Sequence, residues 1–385
     1  MTGLESSKPS STPTAGIPLS GNTCDVSLID TTTDLLVKTS ALLEPEIQGH
    51  EFLNLPTFAF YIYNPRSDKR LLFDMGSRKD WWNLPPEVVG AIEAKGVPGI
   101  RITKDIREIL VDGGIDPATI DAVVWSHYHW DHVGNIQGFP SATKVVVGSG
   151  FRRSFLPGYP INAASPFYDD DFRHREVEEI SFHGPQCLEI GKLRAFDYFN
   201  DQSFYLLSTP GHTDGHISAL VRTSADTFIF LGGDICHFPG AFRPTRLSPM
   251  PDVISSSTVL DRRIPRPCPC SLFTACHPGG KHDPQTTPFY HPSASPESWY
   301  DEAKEAKKSL TALEEFDADE NVFVAISHDP ALREVAARFP QATLNDWKKR
   351  QLKESLHWNF LNELPLHGEP GRPKLVESRI RPAQA

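Results

Sequence analysis

Four apolar runs in this chain each end in a histidine or an aspartate, and that recurrence limits what it can fold into. "AVVWS" (122–126) leads into His127. "LLSTPG" (206–211) leads into His212, "FIFLGG" (228–233) into Asp234, and "VFVAIS" (322–327) into His328. Each run is short and rich in β-branched or aromatic residues, which reads as a buried strand. Side chains just past a strand's end sit on a loop at the sheet edge. Four such endings meet only if the strands finish at one edge of a layered structure.

The first ending is the densest. "SHYHWDHVGN" (126–135) places His127, His129, Asp131 and His132 within six residues. A single helix cannot aim all four at one point, but a turn leaving a strand can. Together the endings supply five histidines and two aspartates. His127, His129 and His212 would hold one ion, and Asp131, His132 and His328 another, with Asp234 bridging. Imidazole and carboxylate ligands suit two divalent ions, zinc (Zn2+) first among them, with iron, manganese and cobalt as alternatives. A lone histidine after a strand is ordinarily structural; the joint pattern argues for metal. Asp214, His216 and Asp329 read as structural residues or as partners that orient ligands.

The motifs "HYHWDH", "TPGHTDGH", "GGD" and "SHD" resemble the metal motifs of the metallo-β-lactamase superfamily of hydrolases. "FDMGS" (73–77) is similar to its early aspartate motif, in which Asp74 would order the site loops. The resemblance spans residues 28–345. It implies an α/β fold, an αββα sandwich in a single domain, with metals at one edge between two sheets. "VFVAISHDP" resembles the N-acyl homoserine lactonase branch. The overall layout is similar to fungal lactonase-like members, including γ-lactamases that open benzoxazolinone-type rings.

The expected activity is therefore opening of a small cyclic ester or amide, a lactone or γ-lactam, by a metal-bound hydroxide. Asp131 would orient the water and pass its proton to the leaving group. Bacterial homoserine lactonases carry a tyrosine three positions after the bridging aspartate, where this chain has His237. His237 is either a hydrogen-bond donor to the developing oxyanion or a histidine that only packs nearby. The alternative activity is a thioesterase of glyoxalase II or polyketide-chain type.

Composition closes off other classes. The net charge of −11 argues against a polyanion partner such as nucleic acid. No apolar run reaches the roughly 18 residues of a membrane span. A small-molecule substrate is the expected partner, and the oligomeric state is left open. Residues 1–24 lack the apolar segment of an export signal and read as a disordered leader. Without export, the six cysteines are expected to be reduced thiols in a cytoplasmic protein. No nucleophile elbow or Gly-rich phosphate loop is present.

The hydrolase domain is expected over 25–365, with 366–385 a flexible tail. From 238 to 296 the chain carries 12 of its 34 prolines, an insertion expected to wall or cover the active site. Cys268, Cys270, Cys276 and His277 within it form either a small zinc site or unemployed loop thiols. Trp81 and Trp82 either line the pocket or pack beneath a loop. Two late helices are expected, one with Trp299, Ala303, Ala306, Leu310 and Leu313 along its stripe. The other would carry Leu344, Trp347, Leu352, Leu356 and Phe360.

Overall fold

The computed structural model describes residues 17–280 and 282–381. Its frame is two sheets facing each other. The first takes β1 (Asp25–Lys38), β2 (Phe52–Asn64), β3 (Lys69–Phe73), β4 (Gly99–Ile102), β5 (Ala122–Val124), β6 (Lys144–Val147) and β7 (Val177–Glu179). Their order across the sheet is β4-β1-β2-β3-β5-β6-β7. The second takes β8 (Cys187–Ile190), β9 (Leu193–Asp197), β10 (Phe204–Ser208), β11 (Ile217–Arg222), β12 (Phe228–Leu231) and β13 (Val322–Ala325), in the order β13-β12-β11-β10-β9-β8.

Strand alternation builds the layers. In β3, Leu71 and Phe73 face the second sheet's Phe204, Leu206 and Ile229, whereas Leu72 faces outward. The outward side of the first sheet is covered by Ile106 and Leu110 of α2 (Ile106–Asp112), after α1 (Pro86–Ala94). Asp105 caps α2 in a reciprocal box with Glu108. The outer face of the second sheet, with Leu207, Leu220 and Phe230, is covered by Leu310, Leu313 and Phe316 of the helix Ala303–Ala318. This is the expected αββα sandwich.

β3 and β5 run parallel, as do β12 and β13. The strands before Asp74, His127, His212, Asp234 and His328 all finish at one edge of the sandwich. Two backbone hydrogen bonds fasten that edge across the sheets. Ile217 N donates to Ser126 O at 2.8 Å, and Phe58 N to Ser327 O at 2.9 Å.

Four expectations change here. Trp299 lies before the first late helix, which begins at Ala303. The second late helix is broken into a short turn at Leu352–Leu356 and a 3-10 turn at Asn359–Asn362, because Gln351 adopts a left-handed backbone, φ 55°. Its apolar residues are nonetheless buried. Of the expected leader, residues 1–16 lie outside the described residues. Residues 17–24 are tied down: Arg222 donates to Pro18 O, and Cys24 is buried with its amide donating to Arg222 O. The tail as far as 381 is packed too. Val376 is buried, Ile380 N donates to Ile100 O at 2.8 Å, and Arg372 pairs with Asp261 at 2.6 Å.

Among the described residues, none of the proline-rich insertion lines the cavity at the ligands. Phe238, Phe242, Phe273, Phe289 and Tyr290 are buried in the same cluster as the second sheet's outer face. Its end runs behind the segment that carries Leu42: Ser293 N donates to Leu42 O at 3.0 Å, and Trp299 N to Ala41 O at 3.0 Å. The insertion braces a wall that other segments provide. Among the described residues its cysteines join no ligand cluster, and Cys268 and Cys270 are buried.

Candidate metal centre and active site

The seven expected ligands form two groups at the shared edge. His127, His129, His212 and Asp234 make one, and Asp131, His132 and His328 the other, the ligand atoms of each lying within 4.8 Å of one another. All are buried. His212 Nε2 is 3.2 Å from His127 Nε2 and 2.8 Å from His129 Nδ1. Asp234 stands between the groups. Its Oδ1 lies 3.1 Å from His132 Nε2 and 3.2 Å from His328 Nε2, and its Oδ2 lies 3.5 Å from His212 and 3.7 Å from His127.

Local structure explains how each ligand is aimed. Gly233 has φ 55°, and a Cβ there would come within 2.7 Å of the Ser126 side chain. Glycine therefore allows the β12 loop to approach the β5 loop and deliver Asp234. His129 precedes a single helical turn, Trp130–Val133, which carries Asp131 and His132 and brings the His132 ring beside that of His127, centroids 4.3 Å apart. Asp74, with φ 61°, accepts from Ser126 N at 2.7 Å, Ser126 Oγ at 2.8 Å and His132 Nδ1 at 2.8 Å. It orders the loops as expected. His216 accepts from Asp234 N at 3.0 Å and contacts Thr209 Oγ1 at 2.9 Å through Nδ1. It orients the bridging residue. Asp214 is on the surface near Arg153, and Asp329 is buried, its carboxylate accepting from Ala331 N at 3.0 Å.

The donor set fits metal ions. Tetrahedral nitrogen ligands at about 2.0–2.1 Å from zinc lie about 3.3 Å apart, close to the His127–His212 separation. His132 Nε2 and Asp234 Oδ1 are 3.1 Å apart and fully buried, yet neither has a hydrogen-bond partner. Burial pushes the imidazoles of His127, His129 and His212 well below their ordinary range, helped by their crowding on one another. Neutral rings keep the lone pairs that a cation requires. Burial works against ionised Asp234, but His132, His328 and His237 outweigh it and hold its carboxyl well below the usual range.

The ligands open onto a narrow cavity of about 30 Å³. Its other walls are Leu35 and Val37 of β1, Leu42, Leu55 of β2, Val97, Trp130 and Trp299. No lysine or arginine lines it. Trp299 was expected to pack on a helix but stands in the site: its ring lies roughly perpendicular to that of His129, centroids 5.2 Å apart. Its Nε1 donates to Lys95 O at 2.9 Å. Trp81 and Trp82 are not among the lining residues; Trp81 is buried in the core.

His237 is buried at the same cavity, its Nε2 3.0 Å from Asp234 Oδ2 and its Nδ1 3.0 Å from the Tyr300 hydroxyl. Tyr300 also sets its ring edge-on to His212 at 4.9 Å. Sequence reasoning passed over Tyr300. It follows Trp299 at the end of a long irregular segment, and no periodicity marks it.

Comparison with known proteins agrees with this geometry. A family model described as the metallo-β-lactamase superfamily matches residues 54–232. The chain is 40% identical over 365 residues to the gamma-lactamase FDB1 of Fusarium pseudograminearum, covering 93% of this chain and 86% of that one. It is 37% identical over 359 residues to the metallo-hydrolase mfmC of Annulohypoxylon moriforme, covering 92% and 91%. Among solved structures, a point mutant of AiiA from B. thuringiensis, with N-decanoyl-L-homoserine bound at its active site, superposes with a TM-score of 0.52. That match covers 83% of this chain and 99% of the other at 17% identity, so it speaks for the fold.

Proposed function

The chain belongs to the metallo-β-lactamase superfamily, and from that premise we propose that it is a dinuclear metal-dependent hydrolase opening a small, neutral cyclic amide or ester, a γ-lactam before a lactone. The observation that carries this reading is one carboxylate, Asp234, whose Oδ1 faces His132 and His328 and whose Oδ2 faces His212 and His127, at the base of a narrow, largely apolar cavity. Zinc is the proposed ion, on the ligand chemistry. A flat ring of benzoxazolinone type matches the apolar chemistry of the walls, and its binding requires the cavity of about 30 Å³ to widen.

His127, His129 and His212 with Asp234, and Asp131, His132 and His328, would hold divalent ions, which when bound would supply an acidified water and a Lewis acid for the substrate carbonyl. The chain's residues do the rest. Leu35, Val37, Leu55, Val97 and Trp299 take the apolar part of the substrate and keep bulk water from the carbonyl. His237 Nε2 points a donor at the carbonyl oxygen as negative charge develops there. Asp131 lies 3.6 Å from His132 Nε2 and 3.5 Å from His328 Nε2, beside the cavity. It takes a proton from the attacking water and returns it to the ring nitrogen or oxygen as the C–N or C–O bond breaks. One water is consumed, and the product carries a new carboxylate.

Among the described residues no lysine or arginine lines the cavity, which disfavours the glutathione thioester, whose carboxylates need cationic partners. The test is a substrate panel of benzoxazolinone, simple γ-lactams, homoserine lactones and S-lactoylglutathione, run with and without chelator. Chelator-sensitive opening of a lactam or lactone supports the reading. A higher kcat/KM for S-lactoylglutathione than for every ring substrate overturns it.

A further inference from the structure

The histidines of the metal centre differ in what stands behind them. His132 Nδ1 faces Asp74 Oδ2 at 2.8 Å, and a carboxylate only accepts. His328 Nδ1 faces Pro56 O at 3.1 Å, again an acceptor. His127 Nδ1 faces Ser126 Oγ at 3.0 Å, whose own proton is given to Asp74 Oδ2. In all three rings the Nδ1 proton is committed outward, so Nε2 turns a lone pair into the site. That is the state a metal ligand needs.

His237 is backed by a donor. The Tyr300 hydroxyl lies 3.0 Å from His237 Nδ1, and among the described residues this is its one hydrogen-bond partner. Tyr300 is buried, and burial pushes its phenol well above the ordinary range, so it keeps its proton. A buried O–H with a single nitrogen in reach donates to it, since leaving the proton unpaired is costly. Nδ1 therefore accepts, and in the neutral ring the proton sits on Nε2.

We propose that Tyr300 is a positioning residue that holds His237 in the Nε2–H form, making His237 a hydrogen-bond donor to the substrate oxygen and barring it from binding metal. The inference decides between two uses of the same atoms, because Asp234, His237 and His328 lie close enough together to hold an ion. The part concerning substrate rests on the ring-opening reading above; the ring's protonation does not.

The test uses Y300F, H237Q and the double variant in the zinc-loaded full chain. Tyr300→Phe removes only the hydroxyl and keeps the packing on His212. Proton–nitrogen correlation spectra of 15N-histidine-labelled protein read the ring directly, and the His237 signals are those absent in H237Q. In the parent protein His237 should carry its proton on Nε2, with two ions per chain. In Y300F the ring should become a mixture of both forms, with metal content unchanged. kcat should fall roughly 10-fold with little change in KM, in line with loss of an orienting partner. The glutamine amide introduced by H237Q presents its own N–H, so Y300F should cost nothing further in that background. A metal-coordinated Nε2 or a third ion in the parent would overturn the proposal, as would a His237 spectrum unaltered by Y300F. Equal losses from Y300F in both backgrounds would do so as well. If no ring substrate is turned over, the ring-opening reading fails while the spectra and ion count still decide the role of Tyr300.

Discussion

The carboxylate of Asp74 accepts a 2.8 Å hydrogen bond from His132 Nδ1 beneath the metal centre, and neither side chain reaches solvent. The same carboxylate holds Ser126, which backs His127. One residue thus fixes a histidine of each group. Asp74→Asn should keep the fold, because asparagine tolerates its left-handed backbone. Metal affinity should fall roughly 10- to 100-fold. Competition against a chromogenic chelator measures it, and unchanged affinity would remove Asp74 from this role.

Asp131 is given both a ligand's and a proton carrier's work. Asp131→Asn keeps its shape and one oxygen but cannot take up a proton from the attacking water. Turnover of the best ring substrate should drop roughly 10²-fold or more. Elemental analysis should be run alongside, so that slow turnover with both ions present is told apart from loss of an ion. Removing all metal with chelator should abolish turnover, and added Zn2+ should restore it.

Trp299 is the aromatic wall of the cavity and is held by Lys95. Trp299→Ala should raise KM for a flat bicyclic lactam by roughly 3- to 10-fold, the worth of one aromatic contact. A small aliphatic lactam should be affected less. Equal changes for both substrates would place Trp299 outside the substrate contact surface.

Glu363 is buried at the opposite side of β2, where it accepts from Asn54 Nδ2 at 3.0 Å. Burial pushes its carboxyl up to about 7. The folded value lies above the unfolded one, so its contribution to stability is present below about pH 4.3 and is lost as pH rises through about 7. Glu363→Gln should therefore gain stability relative to the parent between about pH 5 and 8, on the order of 1–3 kcal/mol. Urea unfolding at both pH values reads the difference. A gap that does not widen with pH would refute the assignment.

What the sequence by itself determined was local. The strands around Leu72, Val123, Phe230 and Val324 follow from alternation or continuous apolar runs, which depend on neighbours along the chain. The ligands are legible for the same reason: each follows its strand directly, and "HYHWDH" puts four within one turn. The tertiary structure decided whatever depends on contacts between distant segments. Trp299 and Tyr300 reach His129 and His237 because the long irregular segment before them is packed into the core, and a tryptophan in such a stretch reads as packing. The stripe from Leu344 to Phe360 has helical spacing, yet Gln351 turns left-handed there. The state of His237 is the sharpest case. A histidine in sequence carries no sign of which nitrogen holds the proton; that follows from whether a donor or an acceptor stands behind it, and Tyr300 lies 63 residues away.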